Sequence, residues 1–344
     1  MNGQILYDIL VAIAIFALIP IFIKMSKFAK RINNIEGYYN SLTGTILILY
    51  IGIHYLIMSF IGNPIIIYPF NVLILIWIAI ILGVQGFYYF MMKKSEASDQ
   101  PNFIKNEDFT FSHELRRKST HLLGLLLVAC YFWISIPVFD MVQQFIIIAE
   151  TANANIWGMV FININPSYIP QMISIFAIIC TCYLILIPDI IRVFNYKYSM
   201  FKKFSIVMRN KEKNAIGPHI CLVIGSLVPM IIIPEYLISM AGIIIAIFSD
   251  AAASLVGRKF GKHKLPFNKR TGKTFEGLLG GIIIAILVPL PILLFGYDIF
   301  TTITLAITGA VIVSIIDIIT PIVTDNYLNP ICASIGMYLV YLLI

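Results

Sequence analysis

Between residues 247 and 281 an apolar run carrying one carboxylate, Asp250, empties into a basic loop spaced by glycines. A carboxylate inside a bilayer helix costs roughly 2.5 to 3.5 kcal/mol on insertion scales, a cost usually kept for a function. Behind it, Arg258, Lys259, Lys262, Lys264, Lys269, Arg270 and Lys273 place seven cations in sixteen residues. Gly257, Gly261 and Gly272 let the backbone of this loop come close to a ligand. A carboxylate facing such a cluster suits a polyphosphate carried with a divalent metal.

Other polar groups stand where apolar runs begin or end. In SHELRRKSTHLLG, a helix would set Glu114, Arg117, Lys118 and His121 at i, i+3, i+4 and i+7, one face with a carboxylate, two cations and an imidazole. The competing reading is a topogenic basic signal with a capping acid, but a snorkelling anchor needs no imidazole one turn deeper than its cations. Arg209, Glu212, Gly217 and His219 form a second cluster, weak on its own. Glu276 opens an apolar run, where a metal role competes with capping of the positive helix end. Asp317 lies inside the next-to-last apolar run, and Asp325 and Asn326 follow it in a short turn before Pro330. That turn offers oxygen ligands to a metal, or is an ordinary Asn/Asp turn. The segment GKTFEGLLGG, with Lys273 and Thr274, is not a phosphate-binding P-loop, because Phe267 stands where the first glycine is required.

Only a membrane bundle can hold these groups together. The chain is 60% hydrophobic and 12% charged, with a mean hydropathy of +0.92, outside the range of soluble domains. An all-α polytopic bundle of about ten spans is expected, at 5–23, 42–61, 65–92, 119–137, 168–191, 219–233, 236–257, 277–296, 301–320 and 329–344. The segments after the first, third, fifth and seventh spans, with the flanking span ends, hold all 24 Lys and Arg. The other side carries Asp140, Glu150, Glu235 and Asp298 and no cation. By the positive-inside rule the basic side is cytoplasmic and both termini are outside. The net charge of +7 then answers to anionic headgroups and a cytosolic anionic substrate, and nucleic-acid binding is not needed to explain it.

The first span lacks a basic n-region and a cleavage motif, so it reads as a retained helix. After it, Lys24, Lys27, Lys30 and Arg31 are spaced like the wet edge of an interfacial helix. The polar stretch 95–112 reads as a linker, dividing an N-terminal three-helix unit (1–112) from a seven-helix catalytic membrane domain (113–344). Residues 138–167 suit an amphipathic or re-entrant segment better than an eleventh span, which would invert the sorted charges. His54 and the five cysteines, which lack zinc-ligand spacing, read as core residues.

Taken in order, ELRRKSTH, RNKEKNAIGPH, SDAAASLVGRKFGKHK with GKTFEG, and TDNYLNP resemble the polyprenol kinase family, which includes dolichol kinase, phytol kinase and CTP-dependent diacylglycerol kinase. The resemblance spans about residues 114 to 332 and is carried most specifically by the D-x-x-A-S-x-x-G-R-x-x-G-K core and the Asp325–Asn326 pair. Tyr327 stands where the family usually has leucine.

The resemblance implies transfer of the γ-phosphoryl group of CTP to a hydroxyl of a membrane lipid (a polyprenol, phytol or diacylglycerol) at the cytoplasmic face. Mg²⁺ or a similar divalent cation would sit on Asp250 with Glu276 or Asp325. The triphosphate would lie among Arg258, Lys259, Gly261, Lys262, Lys264, Lys273 and Thr274, with Arg117 and Lys118 nearby. Either His121 or Asp325 would take the proton, and Arg209, Glu212 and Asn326 would complete the polar surround. The host membrane would be the plasma membrane of a prokaryote or the endoplasmic reticulum of a eukaryote. An alternative is a CTP:phosphatidate cytidylyltransferase, whose loop GRKFGKHKLP with GKTFEGLLGG also resembles; the chain lacks the K-D-x4-P-G-H-G-G stretch of those enzymes. A transporter or channel would want cations deep in the spans, and here all lie at span ends or in loops.

Overall fold

The computed structural model describes residues 3–94, 111–119, 124–151, 168–200, 208, 212, 214–265 and 273–344. They form an all-α bundle. In chain order the helices are α1 (Gly3–Phe16), α2 (Leu18–Arg31), α3 (Ile35–Phe60), α4 (Phe70–Lys94), α5 (Phe111–Ser119), α6 (Leu125–Ala129), α7 (Ser135–Thr151) and α8 (Ile169–Phe194). There follow α9 (Pro218–Ile232), α10 (Tyr236–Phe260), α11 (Phe275–Leu287), α12 (Leu290–Leu293), α13 (Ile299–Ile319) and α14 (Asp325–Tyr341).

Among the described residues, seven helical stretches are long and apolar enough to cross a membrane: Gln4–Arg31, Ile35–Phe60, Phe70–Lys93, Ile169–Phe194, Tyr236–Phe260, Phe275–Leu293 and Ile299–Ile319. Their outer surface carries large apolar side chains such as Phe87, Phe90, Ile283 and Ile299, an exposure that suits lipid and not water. The chain is an integral membrane protein.

Several expected elements take a different form. The first span continues past a break at Ala17 into α2, which buries Phe22, Met25 and Ala29 and exposes Lys24, Lys27, Lys30 and Arg31, as an interfacial helix should. Of the expected span at 119–137, residues 125–137 belong to a longer helical run, in which a π-helical turn at Cys130–Ile134 joins α6 to α7 and the run ends at Thr151, and residues 120–123 lie outside the described residues. Of the 95–112 linker only 111 and 112 are described, and they begin α5; residues 152–167 also lie outside the described residues. Asp325 and Asn326 are not a free turn. They start α14, whose N-cap is Thr324.

Helix α10 is the axis of the bundle. Residues 236–247 are buried nearly all round, since one side packs into a core shared with α1–α4, α8 and α9, and the other into a core with α11, α13 and α14. Burial loosens at Asp250, where the helix reaches the basic end of the bundle. The N-terminal helices are not a detached unit: Trp77 Nε1 donates to the Cys180 carbonyl at 2.9 Å and Gln85 Nε2 to the Tyr198 carbonyl at 2.7 Å.

At the opposite end α1 buries Asp8 completely. Four donors surround its carboxylate: Gln4 Nε2 and Ser59 Oγ, each at 2.6 Å from Oδ2, and Tyr55 OH and Asn71 Nδ2, each at 3.0 Å from Oδ1. This cluster ties α1, α3 and α4 together.

Candidate functional site

Asp250 meets Lys118, a residue 132 positions earlier in the chain. The short charged helix α5 lies across the end of α10, and its polar face is consumed by this docking. Glu114, fully buried, accepts from Arg117 Nη2 at 2.6 Å and lies 3.4 Å from Arg258 Nη2. Arg117 in turn reaches Glu212 at 3.9 Å. Burial works against the Arg117 charge, but Glu114, Glu212 and Asp250 outweigh it and hold the guanidinium more firmly protonated than usual. For Lys118 burial wins, and the ammonium is pushed below its ordinary value although Asp250 offsets part of the effect. The i, i+3, i+4 face expected of Glu114, Arg117 and Lys118 is formed; His121 lies outside the described residues.

The other wall is the crossing of α10 and α11. A Cβ on Gly277 would stand 2.6 Å from the Ala253 carbonyl oxygen, so only glycine permits this approach. Thr274 caps α11 by accepting from the Gly277 amide at 3.2 Å, and its backbone pairs with Lys264. The chain before α11 is thereby drawn back along α10, which delivers Lys273 to the end of α13. There the ammonium donates to Asp317 Oδ1 at 3.1 Å and stands 3.9 Å from Asp325 Oδ2. Burial would lower its affinity for a proton, but Asp317 and Asp325 outweigh that and hold it above the ordinary lysine value.

A third wall comes from a segment that carries no signal in the sequence. Asn34 caps α3 by accepting from the Gly37 amide at 2.9 Å, and one turn on, Asn40 Oδ1 accepts from the Thr324 amide at 2.8 Å. The N-terminal helices therefore hold the start of α14 in place.

These walls enclose a cleft of about 390 Å³. Arg117, Glu212, Asp250, Arg258, Lys273 and Thr274 line it, as do Asp325 and Asn326 across from them. Asp317, Glu36 and Asn40 also line it, and sequence analysis gave none of these a role in a site. Lys259, Lys262 and Lys264 are exposed on the outside of the loop and are not part of the lining, nor is Gly261. Glu276 is not part of the lining either, and its carboxylate stands 2.6 Å from His263 Nδ1. Arg209 lies outside the described residues.

Among the described residues, no group of three or more His, Cys, Asp or Glu side chains stands close enough to hold a metal alone. The three cleft aspartates are instead each beside a lysine, Asp250 at Lys118, and Asp317 and Asp325 at Lys273, and Glu212 stands 3.9 Å from Arg117. Such a donor set fits a metal that arrives on a polyphosphate, since Mg²⁺ keeps its waters and is held by one or two carboxylates plus phosphate oxygens. Comparison with protein-family models, with curated proteins and with solved structures gave no match.

Proposed function

We propose that this protein is a CTP-dependent lipid kinase, which transfers the γ-phosphoryl group of CTP to the hydroxyl of a membrane lipid alcohol. One observation carries the reading: residues from all four stretches that resemble the polyprenol kinase family, from Arg117 to Asn326, line a single cleft although they lie far apart in the chain. Ten spans with both termini outside would put that cleft at the cytoplasmic face, where CTP is available.

In the reaction the lipid oxygen attacks the γ phosphorus, the bond to the β-phosphate oxygen breaks, and CDP leaves. Phosphoryl transfer asks chiefly for positioning and for neutralised charge. Arg117, Arg258 and Lys273 supply fixed positive charge around the cleft, and the Thr274 hydroxyl stands at its edge. Asp250 and Asp325 are the carboxylates that would hold a divalent cation, which when bound lowers the charge on the transferring phosphate. The hydroxyl proton goes to Asp325 or to His121.

The test is reconstituted protein given CTP labelled at the γ or at the α phosphate. Label from the γ position in a lipid product supports the kinase; label from the α position would replace it with cytidylyl transfer. Neither label in lipid would refute both.

A further inference from the structure

Helices α13 and α14 form an antiparallel pair joined by residues 320–324. They cross closely: a Cβ on Gly309 would stand 2.8 Å from Met337 Sδ, and one on Gly336 would collide with Ile312. From this crossing each helix carries a ridge toward the cleft at intervals of four residues, Gly309, Val313 and Asp317 on α13, and Met337, Ala333, Asn329 and Asp325 on α14. Val313, Ala333 and Met337 pack in one core. Asp317 and Asn329 each lie two ridge positions beyond the Gly309–Met337 contact, about 12 Å along their helices, and so reach the same level. Asp325 stands one turn above Asn329, at the cleft.

Asn329 is 2% exposed, and its Oδ1 accepts no hydrogen bond among the described residues. A carbonyl oxygen taken out of water without a donor costs stability, unless positive charge is supplied to it in another way. Such charge gathers at the ends of these two ridges. The Lys273 ammonium lies among three oxygens of the aspartates: Asp317 Oδ1 at 3.1 Å, the Asp317 carbonyl at 3.3 Å and Asp325 Oδ2 at 3.9 Å. A cation in a shell of oxygens occupies the kind of place a metal ion takes. Asp317 is fixed in its helix with its side chain 6% exposed, whereas the lysine side chain is 31% exposed and enters from just before α11. The ammonium can therefore turn to a ligand in the cleft while the oxygens stay where they are.

We propose that Asp317, Asp325 and Asn329 form a divalent-cation site, whose place the Lys273 ammonium holds until a metal arrives. All three offer hard oxygen ligands, two carboxylates and an amide carbonyl, the kind that Mg²⁺ or Mn²⁺ takes when phosphate oxygens and waters complete the shell. The lysine sets the order of events. A lone divalent ion must displace an ammonium that is paired with two carboxylates. An ion arriving on a polyphosphate brings the anion to which Lys273 turns, so metal and phosphate enter together. The site adds Asp317 and Asn329 to the Asp325 of the kinase reading, and rests on that reading only for what the cation serves.

The experiment measures Mn²⁺ binding by electron paramagnetic resonance, without nucleotide, on full-length protein in phosphatidylcholine nanodiscs. Lys273→Met should bind Mn²⁺ at least about tenfold more tightly than the unaltered protein. On that background Asp317→Asn and Asn329→Leu should each weaken binding about tenfold or more, and Asn329→Asp, which keeps an oxygen ligand, should not. Equal affinity with and without the lysine would overturn the proposal. So would an Asn329→Leu variant that binds as before, or a loss in Asn329→Asp as large as in Asn329→Leu, since an amide kept for packing gains nothing from a carboxylate. If the variants do not fold, anomalous diffraction from the unaltered protein crystallised with saturating Mn²⁺ decides. A peak at the Asp317 and Asp325 carboxylates and Asn329 Oδ1 upholds the site, and peaks only elsewhere refute it. Mn²⁺ binding that follows these residues in a protein that transfers no phosphate from CTP would uphold the site and refute the kinase reading.

Discussion

Lys118 and Asp250 are the two halves of one ion pair that fastens α5 across the end of α10, with the lysine 3% exposed and the carboxylate 20%. The pair gives Asp250 two roles that mutation can separate. Asp250→Asn leaves a buried ammonium without its counter-charge, and breaking such a pair costs roughly 3 to 5 kcal/mol. Adding Lys118→Met removes the orphaned charge, so the double variant should recover most of the lost thermal stability in detergent. Activity should not return with it. If Asp250 holds charge at the phosphoryl group, both variants stay down by at least ~10³ in kcat, matching a loss of several kcal/mol. A double variant that regains activity along with stability would reduce Asp250 to a structural partner.

Glu114 holds Arg117 at 2.6 Å and Arg258 at 3.4 Å from a fully buried carboxylate. Glu114→Gln keeps the shape but removes the charge that gathers these two cations at the cleft. KM for CTP should rise about tenfold or more, with a smaller change in kcat, because the lost interaction acts on bound phosphate in ground and transition states alike. An unchanged KM would show that the arginines do not touch the nucleotide.

The all-α class, the helical face of α5 and the cleft-lining segments other than the start of α3 were legible because each is a local signal. A charge inside an apolar run, or a cation row at a span end, stands out against an insertion cost of a few kcal/mol. What was not legible is pairing. Nothing near Asp250 in sequence announces Lys118, and the contribution of Asn40 depends on where α3 meets the start of α14. The basic loop read as one anion site, but the antiparallel return of its backbone turns Lys273 inward and leaves Lys259, Lys262 and Lys264 exposed. Asp8 bears the same insertion cost as Asp250, yet three of its four donors, Tyr55, Ser59 and Asn71, emerge only when helices are packed side by side.

Asp8 supplies a control at the far end of the bundle. Its four donors come from residues 4, 55, 59 and 71, all buried or half-buried. Asp8→Ala leaves them without an acceptor, at about 1 to 3 kcal/mol for each group that finds no substitute. The variant should melt earlier, while turnover per folded molecule at low temperature stays normal. A loss of turnover without a loss of stability would give this cluster a part in the reaction.

Sidedness follows from the sorted charges. In a variant lacking the five native cysteines, Lys259→Cys at the basic end should react with an impermeant maleimide only after the membrane is opened, and Gly296→Cys at the other end should react in intact cells. The reverse pattern would move the cleft to the outer face and away from any pool of CTP.

Among the described lysines of the basic loop, Lys273 is the one that lines the cleft, and the comparison with Lys262 tests that placement directly. Its ammonium bridges Asp317 and Asp325, whereas Lys262 is exposed on the outer side of the loop. Lys273→Met should raise KM for CTP by about tenfold or more, and Lys262→Met should change it by less than about twofold. The same substitution carries a pH signature in stability. Because the folded protein holds the Lys273 proton more tightly than the unfolded chain does, the pair's contribution is fully present below the ordinary lysine value of about 10.4. It is lost as pH rises through the higher folded value. The stability gap between the unaltered protein and Lys273→Met should therefore shrink as pH rises in strong alkali. Equal effects of the two substitutions on KM, with no such gap, would make the basic loop a topogenic signal and nothing more.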